Sequence, residues 1–328
     1  PEILKKNYRN MQQITYSNLL RQLFTNYWRP RYGKLEQRHM DLAASVQKYF
    51  EIAAKNLVEY AVKKTGVKDV CLAGGGALNC TSNGKLLQNL NLRSIYVPPF
   101  PNDSGCSFGG AAIHSIKKGQ TIKPLQTAQL GPAFSDEQIY KDLELLKCGG
   151  IYSRNIEEEV AEEICSGKLV GWFQGGLEVG PRALGGRSIL ADPRTRDVKD
   201  RINKYVKFRE TFRPFAPSVT EEKSSEFFNL NQKSPYMSFI TEVKNPEVLQ
   251  GITHIDGTAR VQTVPSSLEK YYKLIEAIRY KSGFPVVLNT SFNYMGQPIV
   301  CTPKEAIYTF FGTGLDTLAL GNYLLKKR

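Results

Sequence analysis

Apolar residues recur at three- and four-residue steps between Asp41 and Lys64: Leu42, Val46, Tyr49, Phe50, Ala53, Leu57, Ala61 and Val62. That period predicts a helix, with Asp41 placed to cap its start and Gly66 to end it. A short apolar run, Val70-Cys71-Leu72-Ala73, predicts a buried strand that leads into Gly74-Gly75-Gly76. A polar helical stretch is expected from Asn83 to Asn89, a second strand from Ser94 to Val97, and a helix of small residues from about Ser107 to Lys117. Residues 119–135 carry Gly119, Pro124, Gly131 and Pro132 and read as a connector. Beyond it, helices are predicted over Ser135–Leu146 and Glu157–Cys165, and a strand over Leu169–Phe173. The second half mixes short strands (Val219, Phe239–Val243, Val261–Val264, Pro285–Leu288) with a helix at about Ser267–Tyr280. Alternating strands and helices predict an α/β class, mixed α+β in character, with no internal repeat.

A length of 328 residues suggests two domains, at about 150 residues each. Hydrophobic residues at 41% and charged residues at 23% are globular values and argue against a mainly disordered chain. No run approaches the ~20 apolar residues of a membrane-spanning helix. The opening stretch, PEILKKNYRNMQQ, lacks the apolar core of a secretory signal. It begins on Pro1 rather than Met, so a piece of a longer chain is expected. Six cysteines are scattered without a CxxC pair, which predicts free thiols in a reducing, cytoplasmic setting. The three histidines are far apart, so a self-contained histidine metal site is not expected.

Charge changes the picture more. The formal net charge is +13, which suits an anionic partner, although a solvated basic surface would give the same total. Between Gly180 and Arg213 there are ten Lys or Arg against four Asp or Glu. Tyr205, Phe208, Phe212 and Phe215 interrupt those charges, and Pro214 and Pro217 follow Arg213, which points to an enclosed pocket wall. Arginine forks and a lysine point charge are what a phosphate or pyrophosphate requires, and single-stranded nucleic acid could use the same mix. Three glycines at a strand's carboxyl end let a backbone approach a ligand closely, or simply turn the chain. Asp103, in Pro101-Asn102-Asp103-Ser104-Gly105, is either a hard-cation ligand or a helix cap. His254–Gln262 and Leu288–Asn293 are the last two candidate stretches; the second puts short hydrogen-bonding side chains just after an apolar strand, suited to phosphate or carbonyl oxygens, and a capped loop is the alternative for each.

Seven blocks follow in one order from Asp41 to the end: DLAASVQ, LAGGGALNC, FPNDSGCSFGGA, GWFQGGLEVGPRALGGRSILADPR, KFRETFRPFAPS, HIDGTARVQTV and LNTSFNYMGQPIV. Together they resemble the carbamoyltransferase family that modifies nodulation factors, cephem antibiotics and aminoglycosides. The resemblance implies the carboxyl-terminal portion of an ASKHA-type (actin/sugar-kinase-like) domain over residues 1–125. A YrdC-like domain would follow over 126–328, with the linker near 119–135. It implies that carbamoyl phosphate and ATP form carbamoyl adenylate, releasing phosphate and pyrophosphate. The carbamoyl group then passes to a hydroxyl of a small molecule or sugar.

By the same resemblance, Lys207-Phe208-Arg209 and Ser291-Phe292-Asn293 look like the K-x-R and S-x-N signature. Lys207, Arg213 and Arg260 would act in catalysis. Arg182, Arg187, Arg209, Ser291 and Asn293 would join them in binding carbamoyl phosphate and nucleotide phosphates. Gly74, Gly75, Gly76 and Asn79 look like the nucleotide loop. Asp103 looks like a ligand for Fe²⁺, Mg²⁺ or another divalent metal. Nothing before Asp41 shows the family's amino-terminal half, and the histidine pair that binds metal there has no counterpart. A carboxyl-terminal portion of a longer enzyme is therefore expected, with adenylation retained in part, complete transfer lost and metal held weakly. A homodimer is compatible with this reading, a membrane partner is not, and nucleic acid is disfavoured. The competing readings are a threonylcarbamoyl-adenylate synthase-like enzyme of tRNA modification and a basic nucleic-acid-binding module.

Overall fold

The computed structural model describes residues 24–29 and 33–327. The opening stretch read above as lacking a signal lies outside them. The chain divides into two compact units after Thr65. In the first, the expected helix is present as α1 (Gln37–Thr65), four residues longer at its start, with Lys63 and Lys64 favourably placed in its last turn. Much of its apolar stripe, including Val46, Tyr49 and Leu57, is exposed.

The second unit opens with a small parallel pair, β1 (Asp69–Cys71) and β2 (Ser94–Tyr96), joined through helix α2 (Cys80–Asn89). The glycine run forms a short 3-10 turn over Gly75–Leu78. The Asn79 side chain accepts from the Ser82 amide at 3.0 Å and so caps α2. Helix α3 (Cys106–Lys117) follows. The side-chain amide of Gln232 clasps the Ile95 backbone, accepting from its N–H at 3.0 Å and donating to its carbonyl at 2.8 Å. Asn83 Nδ2 donates to the carbonyls of Ala77 (2.8 Å) and Ser238 (3.0 Å). The glycine turn is thereby fastened to the later part of the chain.

After an irregular stretch come α4 (Asp136–Leu145), β3 (Ile151–Tyr152), α5 (Ile156–Cys165) and β4 (Val170–Phe173). Ser135 and Gln138 form a reciprocal capping box at the start of α4, as the Ser135 cap predicts. Next are β5 (Arg187–Ala191) and α6 (Val198–Arg201), which runs into a π-helical turn over Ile202–Lys207. Then come β6 (Ala216–Thr220), α7 (Ser224–Phe227), β7 (Ile240–Glu242), β8 (Thr258–Arg260) and β9 (Gln262–Val264). The chain closes with α8 (Glu269–Ser282), β10 (Val286–Ser291), α9 (Pro303–Gly312), β11 (Thr317–Leu320) and β12 (Tyr323–Lys326).

Eight strands make one mixed sheet in the order β3-β12-β11-β4-β5-β10-β6-β9, parallel at β11/β4 and β6/β9. Its central strands are apolar on both faces because both are covered. Ile189 and Ala191 of β5, Leu288 of β10 and Leu318 of β11 meet Phe310 of α9 and Ile139 of α4. The alternate residues Leu190, Val287 and Ala319 meet α5 and α8 through Val160, Ile164, Leu274 and Ile278.

β5 lies inside the basic stretch read as a pocket wall, since Arg187 and Asp192 flank only four apolar or small residues. The terminal α9, β11 and β12 had no sequence assignment. The β11–β12 hairpin turns on Gly321 at φ +57°. Leu190→Ala is expected to lower unfolding free energy by about 2–5 kcal/mol, while Leu145→Ala on the exposed side of α4 changes it by under about 0.5 kcal/mol; urea melts measure both.

Candidate anion-binding active site

The π-helical turn ends at Lys207, and Phe208 follows in the left-handed region at φ 48°. That reversal leaves the Phe208 ring exposed while Lys207, at 3% exposure, turns inward. Its ammonium donates to the Ser291 carbonyl, to Ser291 Oγ (3.2 Å), to the Asn293 carbonyl (2.9 Å) and to Asn293 Oδ1 (2.8 Å). Ser291 Oγ donates in turn to Asn293 Oδ1 at 2.7 Å. The K-x-R and S-x-N segments, 84 residues apart, thus form one cluster. All four acceptors are neutral. Burial, and then the Arg209 guanidinium, push the Lys207 ammonium well below its ordinary pKa.

Arg209 Nε donates to Oδ1 of the buried Asn203 at 2.8 Å, and its guanidinium lies 5.0 Å from the Phe215 ring. Asn203 Nδ2 donates to the carbonyls of Thr211 (3.3 Å) and Arg213 (3.1 Å), so it shapes the loop between them. Burial, Arg213 and Arg260 lower Arg209 to about 10, against an opposing pull from Glu210. Burial and Arg260 likewise lower Arg182 to about 10. Arg260 Nε is buried with no hydrogen-bond partner among the described residues. Arg213 is half exposed and pairs with Glu210 at 3.2 Å. His254 adjoins the group: burial lowers its pKa, Arg260 and Lys199 lower it further, and Asp256 and the Phe215 carbonyl oppose them. Arg209 thus lies near Lys207, Arg213 and Arg260, and among the described residues the carboxylate acting on Arg209 and paired with Arg213 is Glu210, itself half exposed.

Arg187 stands apart from that group. Its Nη1 donates to the carbonyls of Gln174 (2.9 Å), Gly175 (3.2 Å) and Gly186 (3.0 Å), and its Nη2 to that of Pro132 (3.0 Å). The guanidinium lies 3.5 Å from the Phe173 ring centre, fully buried. It braces the glycine-rich loop from within.

The first glycine run lies on the other side of Arg182. Gly74 has φ +90° and donates its N–H to the Pro101 carbonyl at 2.7 Å. Arg182 Nη2 reaches the Leu78 carbonyl at 3.5 Å. Gly74, Gly75, Gly76 and Asn79 are thus joined to the basic group through one arginine. Asp103 is exposed on a short 3-10 turn. No group of three or more His, Cys, Asp or Glu able to hold a metal occurs among the described residues. The residues present do not by themselves fit the implied metal.

Asn203, Glu178 and Gln262 are buried polar groups that motif reading left without a role. Their signal is a polar residue flanked by apolar neighbours in a stretch that the fold buries.

The model of the carbamoyltransferase C-terminus matches residues 161–327, and that of the carbamoyltransferase N-terminus matches residues 2–113. The chain belongs to the carbamoyltransferase family. The amino-terminal match corrects one expectation, since the likeness extends ahead of Asp41 to residue 2. Nodulation protein NolNO of Sinorhizobium fredii is 44% identical over 308 residues, covering 89% of this chain and 45% of that protein. The 3'-hydroxymethylcephem-O-carbamoyltransferase of Amycolatopsis lactamdurans is 32% identical over 258 residues, covering 76% of this chain and 47% of that one. The chain spans about half the length of these curated relatives. A crystal structure of full-length HypF in its phosphate- and nucleotide-bound form aligns at 16% identity over 55% of this chain and 22% of that one. Its TM-score is 0.37, too low to define a shared fold.

Crowding guanidiniums without counter-charges costs stability when no anion is bound. Arg182→Gln is expected to stabilise the ligand-free protein by about 1 kcal/mol, a value already reduced for solvent screening, and to weaken pyrophosphate binding. Denaturant melts with and without pyrophosphate measure both effects.

Proposed function

We propose that this chain carries the carbamoyl-adenylate-forming part of an O-carbamoyltransferase, with carbamoyl phosphate and ATP as substrates. One observation carries the reading: the buried Lys207 ammonium is held only by neutral oxygens of Ser291 and Asn293, and the buried Arg260 Nε has no hydrogen-bond partner among the described residues. Such a region is completed by a ligand with several negative charges. Family membership says which polyanions to consider. The cephem O-carbamoyltransferase among the relatives indicates the acceptor class, a hydroxyl on a small molecule.

In this mechanism Lys207 supplies positive charge to the phosphate region while its N–H groups stay on Ser291 and Asn293. Arg209 and Arg260 present forked donors to the phosphates where negative charge develops. Ser291 and Asn293 orient Lys207 and can turn their own polar atoms to the carbamoyl amide. Arg182, set between the basic group and Gly74–Asn79, spans the two stretches that would face the nucleotide and the carbamoyl group. Water first cleaves carbamoyl phosphate to carbamate and phosphate. A carbamate oxygen then attacks the α-phosphorus of ATP, forming carbamoyl adenylate and displacing pyrophosphate, and attack of the acceptor hydroxyl on the carbamoyl carbon releases AMP. Rate enhancement is positional and electrostatic, and no side-chain nucleophile is required. The division into an actin/sugar-kinase-like portion to about residue 125 and a YrdC-like portion beyond it belongs to the same reading. No step is assigned to a metal at Asp103.

Pyrophosphate release that requires both ATP and carbamoyl phosphate tests this reading. Lys207→Met and Arg260→Gln are expected to lower kcat/KM for that release about 30- to 1000-fold. Release that ignores carbamoyl phosphate, or full activity of Lys207→Met, would refute it. RNA binding that falls steeply with salt and is indifferent to carbamoyl phosphate would favour the nucleic-acid reading instead.

A further inference from the structure

Residues Ala183–Arg187 are buried. Ala183 to Gly186 belong to no helix or strand, so their peptide groups have no regular ladder to satisfy them. Side chains take its place. The Ala183 carbonyl accepts from Asn289 Nδ2 at 3.2 Å, that of Leu184 from Gln262 Nε2 at 3.0 Å, and that of Gly185 from Trp172 Nε1 at 2.9 Å. The amides of Leu184 (2.7 Å), Gly186 (2.6 Å) and Arg187 (3.3 Å) all converge on Oε1 of one carboxylate, Glu178.

Glu178 is 4% exposed, and its Oε2 has no hydrogen-bond partner among the described residues. A buried carboxylate is costly, and the buried Arg187 guanidinium close to it offsets part of that cost; an amide could accept the same three bonds but could not answer that cation. The carboxylate draws three N–H groups strongly to one point. The residue at the edge of this cradle is Arg182. On its other side Gly180 sits at φ +115°, with its α-carbon backed against the Pro99 carbonyl, where a side chain would collide. The main chain on both sides of Arg182 is therefore clamped, and its guanidinium emerges toward Leu78 and Arg260.

We propose that Glu178 is a positioning residue that, by gathering the amides of residues 184, 186 and 187, seats Arg182 for binding of a pyrophosphate-bearing ligand. The inference rests on the anion-site reading for its ligand, but the placement of Arg182 can be read without one. Two measurements on the purified chain decide it.

The first is a double-mutant cycle on pyrophosphate affinity. Glu178→Ala is expected to weaken binding about 10-fold, and Glu178→Gln, which keeps the acceptor, less than about 3-fold. Added to Arg182→Gln, the Glu178→Ala change should have almost no further effect. Losses that multiply, or a lowered Tm with unchanged affinity, would overturn the proposal. If Glu178→Ala does not fold, Glu178→Leu, which keeps the side chain's bulk and removes the acceptor, takes its place alone and with Arg182→Gln in the same cycle.

The second is labelling by an arginine-selective dicarbonyl, read peptide by peptide. Arg182 should react several-fold faster in Glu178→Ala than in wild type, and near the wild-type rate in Glu178→Gln. Unchanged labelling of Arg182 would overturn the proposal. Should wild type fail to bind pyrophosphate, the anion-site reading fails while the labelling still judges the role of Glu178.

Discussion

The ammonium of Lys207 is buried against neutral oxygens, and the arrangement around it follows from that imbalance. A buried cation without a counter-charge is costly, so it persists only where the fold leaves it nowhere else to go. The end of β10 supplies the oxygens through Ser291 and Asn293, while the left-handed turn at Phe208 aims the lysine at them. Arg209 then shares the region because it follows Phe208, and Arg260 because β8 ends beside it. The protein's own hydrogen bonds hold the lysine, and they leave its charge for a ligand to neutralise.

The same logic explains why so much polar structure is buried around the glycine-rich loop. Arg187 spends the N–H groups of Nη1 and Nη2 on four carbonyls, and Glu178 spends one oxygen on three amides. Neither needs a ligand for these bonds. Both make the loop rigid where it carries Arg182 toward Arg260. A preorganised set of donors loses little freedom when an anion arrives, which is where its affinity advantage comes from. Trp172, Gln262 and Asn289 reach the loop from three strands of the large sheet, so the covered sheet and the site are mechanically one object.

Much of this was legible in the residues. Period placed α1, α4, α5 and α8, and the Ser135 cap placed the start of α4; Asp41, expected to cap α1, lies inside it, because the helix begins at Gln37. The basic, aromatic-interrupted stretch and the short polar side chains at the end of β10 and just beyond it supply the candidate site's residues. Asn289, expected to face a ligand's oxygens, donates instead to the chain's own Ala183 carbonyl and to Ser218. β5 was hidden because a strand covered on both faces has no polar alternation, and here charged residues flank it. Arg187 and Arg182 lie in one motif and share a residue type, yet one braces the loop and the other faces the basic group. No spacing rule distinguishes them.

Residue types and their order determined the class of the chain, its family and the excess of positive charge in one stretch, since each is written in local composition or motif. Tertiary structure alone decided which cations face each other, which are answered by backbone oxygens and which carboxylates are kept away. Those outcomes depend on contacts between segments 84 or more residues apart, such as Lys207 with Ser291 and Arg182 with Leu78. Only the covered sheet and its loop connections bring such segments within reach of one another.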